Sequence, residues 1–128
     1  MSAASELAEL VDVSRRLGEQ WELVQAGGGN TSVKLGGSMY IKASGLRLRD
    51  MDTDSGLVAI DLASLRGLLI DEAFATLPAR ERDLKLAQEM NGITRGAPGR
   101  RASIESWVHA VFDRSVVHTH PIWVNAIV

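Results

Sequence analysis

The sequence predicts a layered domain of mixed helices and strands, α/β or α+β, built on a partly antiparallel sheet. Three observations carry that expectation: an apolar stripe at helical spacing near the start, two short alternating segments joined through Gly36-Gly37, and a β-prone apolar run, Leu57-Val58-Ala59-Ile60, followed by further helical patterns.

Leu7, Leu10, Val11, Leu17 and Trp21 recur at helical spacing from Ser5 onward, with Glu6, Glu9 and Arg16 off the stripe, which describes an amphipathic helix packed on another layer. Gly27-Gly28-Gly29 ends that region. Residues 31–35 and 39–43 form the two strands of a hairpin, because Gly36-Gly37 accepts the positive φ angles of a tight turn. Residues 57–60 suit a buried third strand, and Asp61 after them caps a short helix running through Leu69. Leu84, Leu86, Ala87 and Met90 among charges predict a helix over 80–90. The breakers in Asn91-Gly92 and Gly96-Ala97-Pro98-Gly99 predict a loop. A helix over 103–112 with Ser103 as its N-cap, a strand over 115–118 and a helix opened by Pro121 complete the pattern. The last seven residues, Ile122-Trp123-Val124-Asn125-Ala126-Ile127-Val128, read as the first turns of an apolar helix without a polar finish. The expectation is therefore a single domain over 1–128 whose C-terminal part is missing.

Composition narrows the chemistry. With 128 residues the chain is long enough for one domain with a core. A formal charge of −2 provides no global field for nucleic acid or an anionic membrane, so neither is expected as a partner. The absence of cysteine excludes disulfides, thiolate metal sites and Cys nucleophiles, and fits a cytoplasmic protein. The first twenty residues carry charges where a signal peptide needs an apolar segment, and no uninterrupted apolar run reaches the length of about 18 residues that a membrane span needs. Any metal must be held by histidine and carboxylate.

His118 and His120 stand at i and i+2 on a predicted strand, so their side chains share a face. They either grip one ion together or form a polar strand end. Glu105 and His109 are four apart on the preceding helix and share a face of it. Alone, Glu105 reads as a solvated helix-end charge. The short connection Asp113-Arg114 changes that, because it folds the helix back toward the strand bearing the two imidazoles. His109 is either a third ligand or a residue packed behind the site. Gly27-Gly28-Gly29-Asn30-Thr31-Ser32 offers backbone and side-chain donors to an anion, though it equally suits a helix-to-strand connector. Ser44-Gly45 is a second donor cluster of the same kind. Arg95, Arg100 and Arg101 read as solvated surface, or as a guide for an anionic substrate if a metal lies beside them.

Taken in order, Gly29-Asn30-Thr31-Ser32, Ser44-Gly45, Ala102-Ser103-Ile104-Glu105 and Val117-His118-Thr119-His120 resemble the class II aldolase/adducin family. Gly27 through Lys34 also resembles the branch in which an aldolase-like domain is joined to a short-chain dehydrogenase. The resemblance implies a three-layer α/β/α fold around a mainly antiparallel sheet, usually assembled as a homotetramer with sites between subunits. It implies a divalent metal, commonly zinc, held by His118, His120 and Glu105, with Glu105 also acting as acid/base. It assigns phosphate binding to Asn30, Gly45 and Ser103, with Gly29 and Ser44 beside them. The implied reaction is retro-aldol cleavage of a small sugar phosphate or related hydroxy-carbonyl compound through a metal-stabilised enediolate. Pentulose-phosphate 4-epimerisation on the same scaffold and a non-catalytic, adducin-like assembly domain are the alternatives. Two departures stand out. Ile104 occupies the position where sugar-phosphate aldolases often carry a second phosphate-binding serine, and the family's third histidine ligand falls downstream of Val128.

Overall fold

The computed structural model describes residues 2–128 and is built around the hairpin at Gly36-Gly37. Strands β1 (Asn30–Leu35) and β2 (Ser38–Lys42) pair antiparallel, with Leu35 opposite Ser38. The two turn glycines have φ of 54° and 83°, left-handed angles that a residue without Cβ adopts readily. Strand β3 (Leu57–Asp61) adds to β2, and β4 (Thr94–Gly96) adds to β3. On the other side β5 (Ser115–His118) adds to β1, with His118 opposite Asn30. The order is β4-β3-β2-β1-β5, and every pairing is antiparallel.

Helices cover this sheet: α1 (Ala3–Gly18), α2 (Leu62–Leu69), α3 (Glu72–Ala75), α4 (Ala79–Gly92), α5 (Ser106–Val111) and α6 (Ile122–Ile127). Side chains alternate along each strand, so the sheet feeds two apolar layers. On one face Met39, Ile41, Val58 and Ile60 pack with Leu65 of α2, Met90 of α4 and Ala110 of α5. The other cluster joins Leu57 to Val11 of α1, Val24, Met51 and Leu48, which opens a short 3-10 turn, Leu48–Asp50. This is the mixed α/β architecture that the pattern of elements predicts. No helix among the described residues is long and apolar enough to cross a membrane.

Caps fix the helix starts that matter here. Ser2 accepts from the Ser5 N–H to open α1, and Asp61 accepts from the Ser64 N–H to open α2 as expected. Hydrogen bonds to Ser64 hold the Asp61 carboxyl below its ordinary pKa.

The structure also departs from several sequence expectations. Trp21 does not continue the buried stripe of α1: the helix stops at Gly18 and the indole is 66% exposed. The stretch expected as a loop after residue 90 contains β4, whose three residues are extended because β3 supplies their partners. Helix α3, capped by Asp71, lies in a segment with no sequence assignment. Finally, α5 is shorter than residues 103–112, because the chain first makes a separate turn in which the Ser106 N–H reaches Ser103 O.

Candidate metal centre

The site forms where the start of β1, the entry to α5 and the end of β5 meet. Asn30 is fully buried opposite His118, and its Nδ2 donates to Glu105 Oε2 at 2.9 Å. Its Oδ1 accepts from the Thr31 N–H, which fixes the amide orientation. Glu105 occupies the N-cap position of α5 without capping it through its side chain, while its own N–H donates to Ser103 Oγ at 3.2 Å. The carboxylate is thus aimed by two strand-and-turn contacts rather than by the helix.

Its second oxygen, Oε1, stands 3.4 Å from His118 Nδ1. His120 Nε2 lies 3.2 Å from His118 Nε2. Glu105, His118 and His120 each offer a ligand atom, all within 4.8 Å of one another, and all three residues are partly buried. In a tetrahedral zinc site with bonds of 2.0–2.1 Å, neighbouring ligand atoms are about 3.3 Å apart. The imidazole–imidazole spacing matches that value. A two-histidine, one-carboxylate set of intermediate polarity fits zinc or a similar divalent ion.

The glycine loop serves this centre by close approach. His120 donates its backbone N–H to Leu23 O at 2.7 Å and Ile122 donates to Glu22 O at 2.9 Å, so the segment before the glycines holds the His-x-His end in place. A Cβ on Gly28 would stand 3.1 Å from His120 Nδ1. Gly29, at φ 81°, leaves no room for one either, with Val24 Cγ1 at 2.6 Å and His118 O at 3.2 Å. Ser44 and Gly45 form an exposed turn after β2, anchored by the Ser44 N–H to Arg101 O at 2.9 Å. Ser103 is buried and Ile104 is 84% exposed.

His109 lies apart from the Glu105, His118 and His120 ligand atoms. It is fully buried, its Nδ1 is 2.7 Å from Ser32 Oγ, and its ring centroid is 6.3 Å from that of His118. Nε2 has no hydrogen-bond partner. Burial above all, and then the neighbouring His118, lower its pKa to about 4, so the ring is neutral at pH 7. Lys34 closes the far end of α5 by donating to His109 O at 2.5 Å and to Asp113 O at 2.8 Å. Three features here have no local sequence signal: the approach of Gly28 to His120, the Ser32–His109 bond, and Lys42, which is buried at 3% exposure.

A comparison with curated proteins finds no match. Among solved structures, the N-terminal class II aldolase domain of a conserved protein from Thermoplasma acidophilum is similar, with a TM-score of 0.78 and 25% identity. The likeness covers 99% of this chain and 60% of that one, so the chain spans well under the length of that relative. The sequence model of the class II aldolase and adducin N-terminal domain matches residues 8–128. With nearly all of its length inside that match, the chain belongs to the class II aldolase/adducin family.

Proposed function

We propose that this single domain binds a divalent metal, zinc first among the candidates, through Glu105, His118 and His120, and that it serves retro-aldol cleavage of a small hydroxy-carbonyl substrate such as a sugar phosphate. The observation that carries this reading is the convergence of those three ligand atoms within 4.8 Å. When bound, such a metal supplies Lewis acidity toward carbonyl and hydroxyl oxygens.

The chain's own residues would do the rest. Asn30 holds Glu105 Oε2, which leaves Oε1 directed at the His118 side as the oxygen that accepts and returns a proton. The Leu23 carbonyl holds the backbone beside His120, so the imidazole is positioned without a flexible search. Gly28 and Gly29 let the loop approach the His120 ring and the His118 backbone carbonyl closely. Gly29, Asn30, Ser44, Gly45 and Ser103 would line the substrate side. A cytoplasmic homo-oligomer, a tetramer by family likeness, accords with the exposed apolar residues Val108, Val111, Phe112, Val117 and Trp123 around α5, β5 and α6.

The test is metal content followed by chemistry. Zinc at one equivalent per chain by elemental analysis, lost in His118→Ala, supports the reading, and a metal-free protein after zinc exposure rejects it. Cleavage of ketose 1-phosphates, assayed by triose release, should fall in Glu105→Gln far more than zinc affinity does. A stereoisomer as the product in place of a triose would identify the epimerase instead.

A further inference from the structure

We propose that the outer edge of β5 is an interface between two copies of this chain, which pair antiparallel about a two-fold axis at Val117 and form one continuous sheet. Such pairing requires neither zinc nor Glu105, so it stands independently of the reading of the metal centre.

β5 ends the sheet, so one side of its backbone has no partner strand among the described residues. The register shows which residues face that side. The Lys34 N–H donates to Arg114 O at 2.8 Å and the His120 N–H donates to Leu23 O, so the even-numbered residues of this stretch turn their backbone groups inward. Ser115, Val117 and Thr119 therefore direct N–H and C=O outward. A free edge of this kind is a template for another strand, and proteins that stay monomeric blunt it with lysine, proline or a bulge. Residues 115–118 carry none of these: they pair with β1 without a break in register, and Arg114 beside them is engaged with Glu6.

The side chains on the two faces of the sheet specify the partner. Val116 and His118 stand opposite Ser32 and Asn30, whose side chains meet His109 and Glu105, so they lie on the α5 face. Val117 stands opposite Thr31, which bonds to Ser14, so Val117 and Ser115 lie on the α1 face. Each face has a groove beside the edge: about 180 Å³ on the α1 face, lined by Leu10, Val13 and Val117, and about 650 Å³ on the α5 face, lined by Val108, Phe112 and Val116. Val108, Phe112 and Val117 are each more than half exposed. The strand that fits has apolar residues on both faces, because successive side chains enter alternate grooves, and no charge to bury. β5 is itself such a strand, since residues 115–119 contain no Asp, Glu, Lys or Arg. A two-fold axis at Val117 sets Val117 opposite its own symmetry mate and Ser115 opposite Thr119 of the second copy, so the outward backbone groups meet one another. The most exposed apolar side chain of the strand is then covered by its equivalent, and the closed dimer leaves no free β5 edge.

The chain has no cysteine, so a single introduced thiol reports the interface without background. Directly opposed residues have Cα atoms about 5.5 Å apart, within disulfide reach, whereas the two copies of residue 115 would be separated by about 14 Å along the paired strands. Val117→Cys should therefore form a covalent dimer under mild oxidation at micromolar concentration, and Ser115→Cys should not. Sedimentation equilibrium of the wild type should show association that Val117→Pro weakens about 100-fold or more, because proline removes an outward N–H that β1 does not use. If circular dichroism shows that Val117→Pro does not fold, Val117→Lys replaces it, since the axis would bring two ammonium groups face to face. All measurements are made with a chelator present, so that an ion shared between two chains cannot imitate the interface. A monomeric wild type, association indifferent to substitution at Val117, or equal cross-linking from residues 115 and 117 would overturn the proposal.

Discussion

Asn30 Nδ2 donates to Glu105 Oε2 at 2.9 Å across 75 positions of sequence, and this bond joins the sheet to the carboxylate of the candidate metal centre. Because Asn30 is fully buried, the bond forms where an unmade partner is expensive. The glycine loop and the glutamate are therefore one unit rather than two neighbouring motifs.

Asn30→Ala removes that donor and the acceptor for the Thr31 N–H. We expect a stability loss of about 1–3 kcal/mol in urea unfolding. Zinc affinity should fall roughly 10-fold or more, as for other groups that orient a ligand from behind. Unchanged zinc affinity in a folded variant would show that the carboxylate is aimed by the Ser103 turn alone.

On the proposed reading, zinc held by the folded arrangement of Glu105, His118 and His120 should stabilise the chain. At a free concentration of 100 Kd the gain is about 2.7 kcal/mol, which for a domain of this size raises Tm by roughly 10 °C. His118→Ala and His120→Ala should each abolish the shift in a thermal melt. A shift that survives both variants would place the ion elsewhere.

Much of this centre is legible in the sequence, and the parts that are not share a cause. The hairpin, β3 with its Asp61 cap, and β5 follow from short-range signals: turn glycines, β-prone runs and a capping carboxylate. The meeting of Glu105 with His118 and His120 follows from the two-residue connection at Asp113-Arg114. By contrast, Thr94–Gly96 is a strand because β3 lies beside it, while the breakers on either side of Thr94-Arg95 make the stretch read as a loop. Trp21 has the right spacing for the α1 stripe, but the helix ends before it. Ser32 and His109 are 77 positions apart, and no local pattern couples them. The burial of Lys42 depends on a turn folding back over its own strand end.

His109 gives the fold a pH dependence of definite sign. Its pKa is about 4 in the folded chain against an ordinary 6.5. The unfolded state therefore binds the proton more readily, and stability is complete above pH 6.5 and is lost as pH falls toward 4. The full effect is about 3 kcal/mol, at roughly 1.4 kcal/mol per pH unit inside the window. Urea unfolding at pH 7, 6 and 5, with a chelator present to remove metal-linked protons, measures it. His109→Gln keeps a polar group toward Ser32 but cannot titrate, so its curve should be flatter than that of the wild type over this range.

Two helix glycines should respond oppositely to the same substitution. Gly18 closes α1 where it crosses the 3-10 turn, and a Cβ there would lie 2.2 Å from Arg49 N and 2.8 Å from the Leu48 carbonyl carbon. Backbone cannot swing aside as a side-chain tip can, so Gly18→Ala must push α1 away from the Leu48 cluster. We expect a loss of about 1–3 kcal/mol. Gly67 lies inside α2 with nothing within 4 Å of its Cβ position. There alanine meets no obstacle and only reduces the backbone entropy lost on folding, so Gly67→Ala should stabilise the chain by about 1 kcal/mol. Urea midpoints of the two variants should therefore lie on opposite sides of the wild type. Stabilisation by Gly18→Ala would mean that α1 does not rest on the Leu48–Asp50 turn.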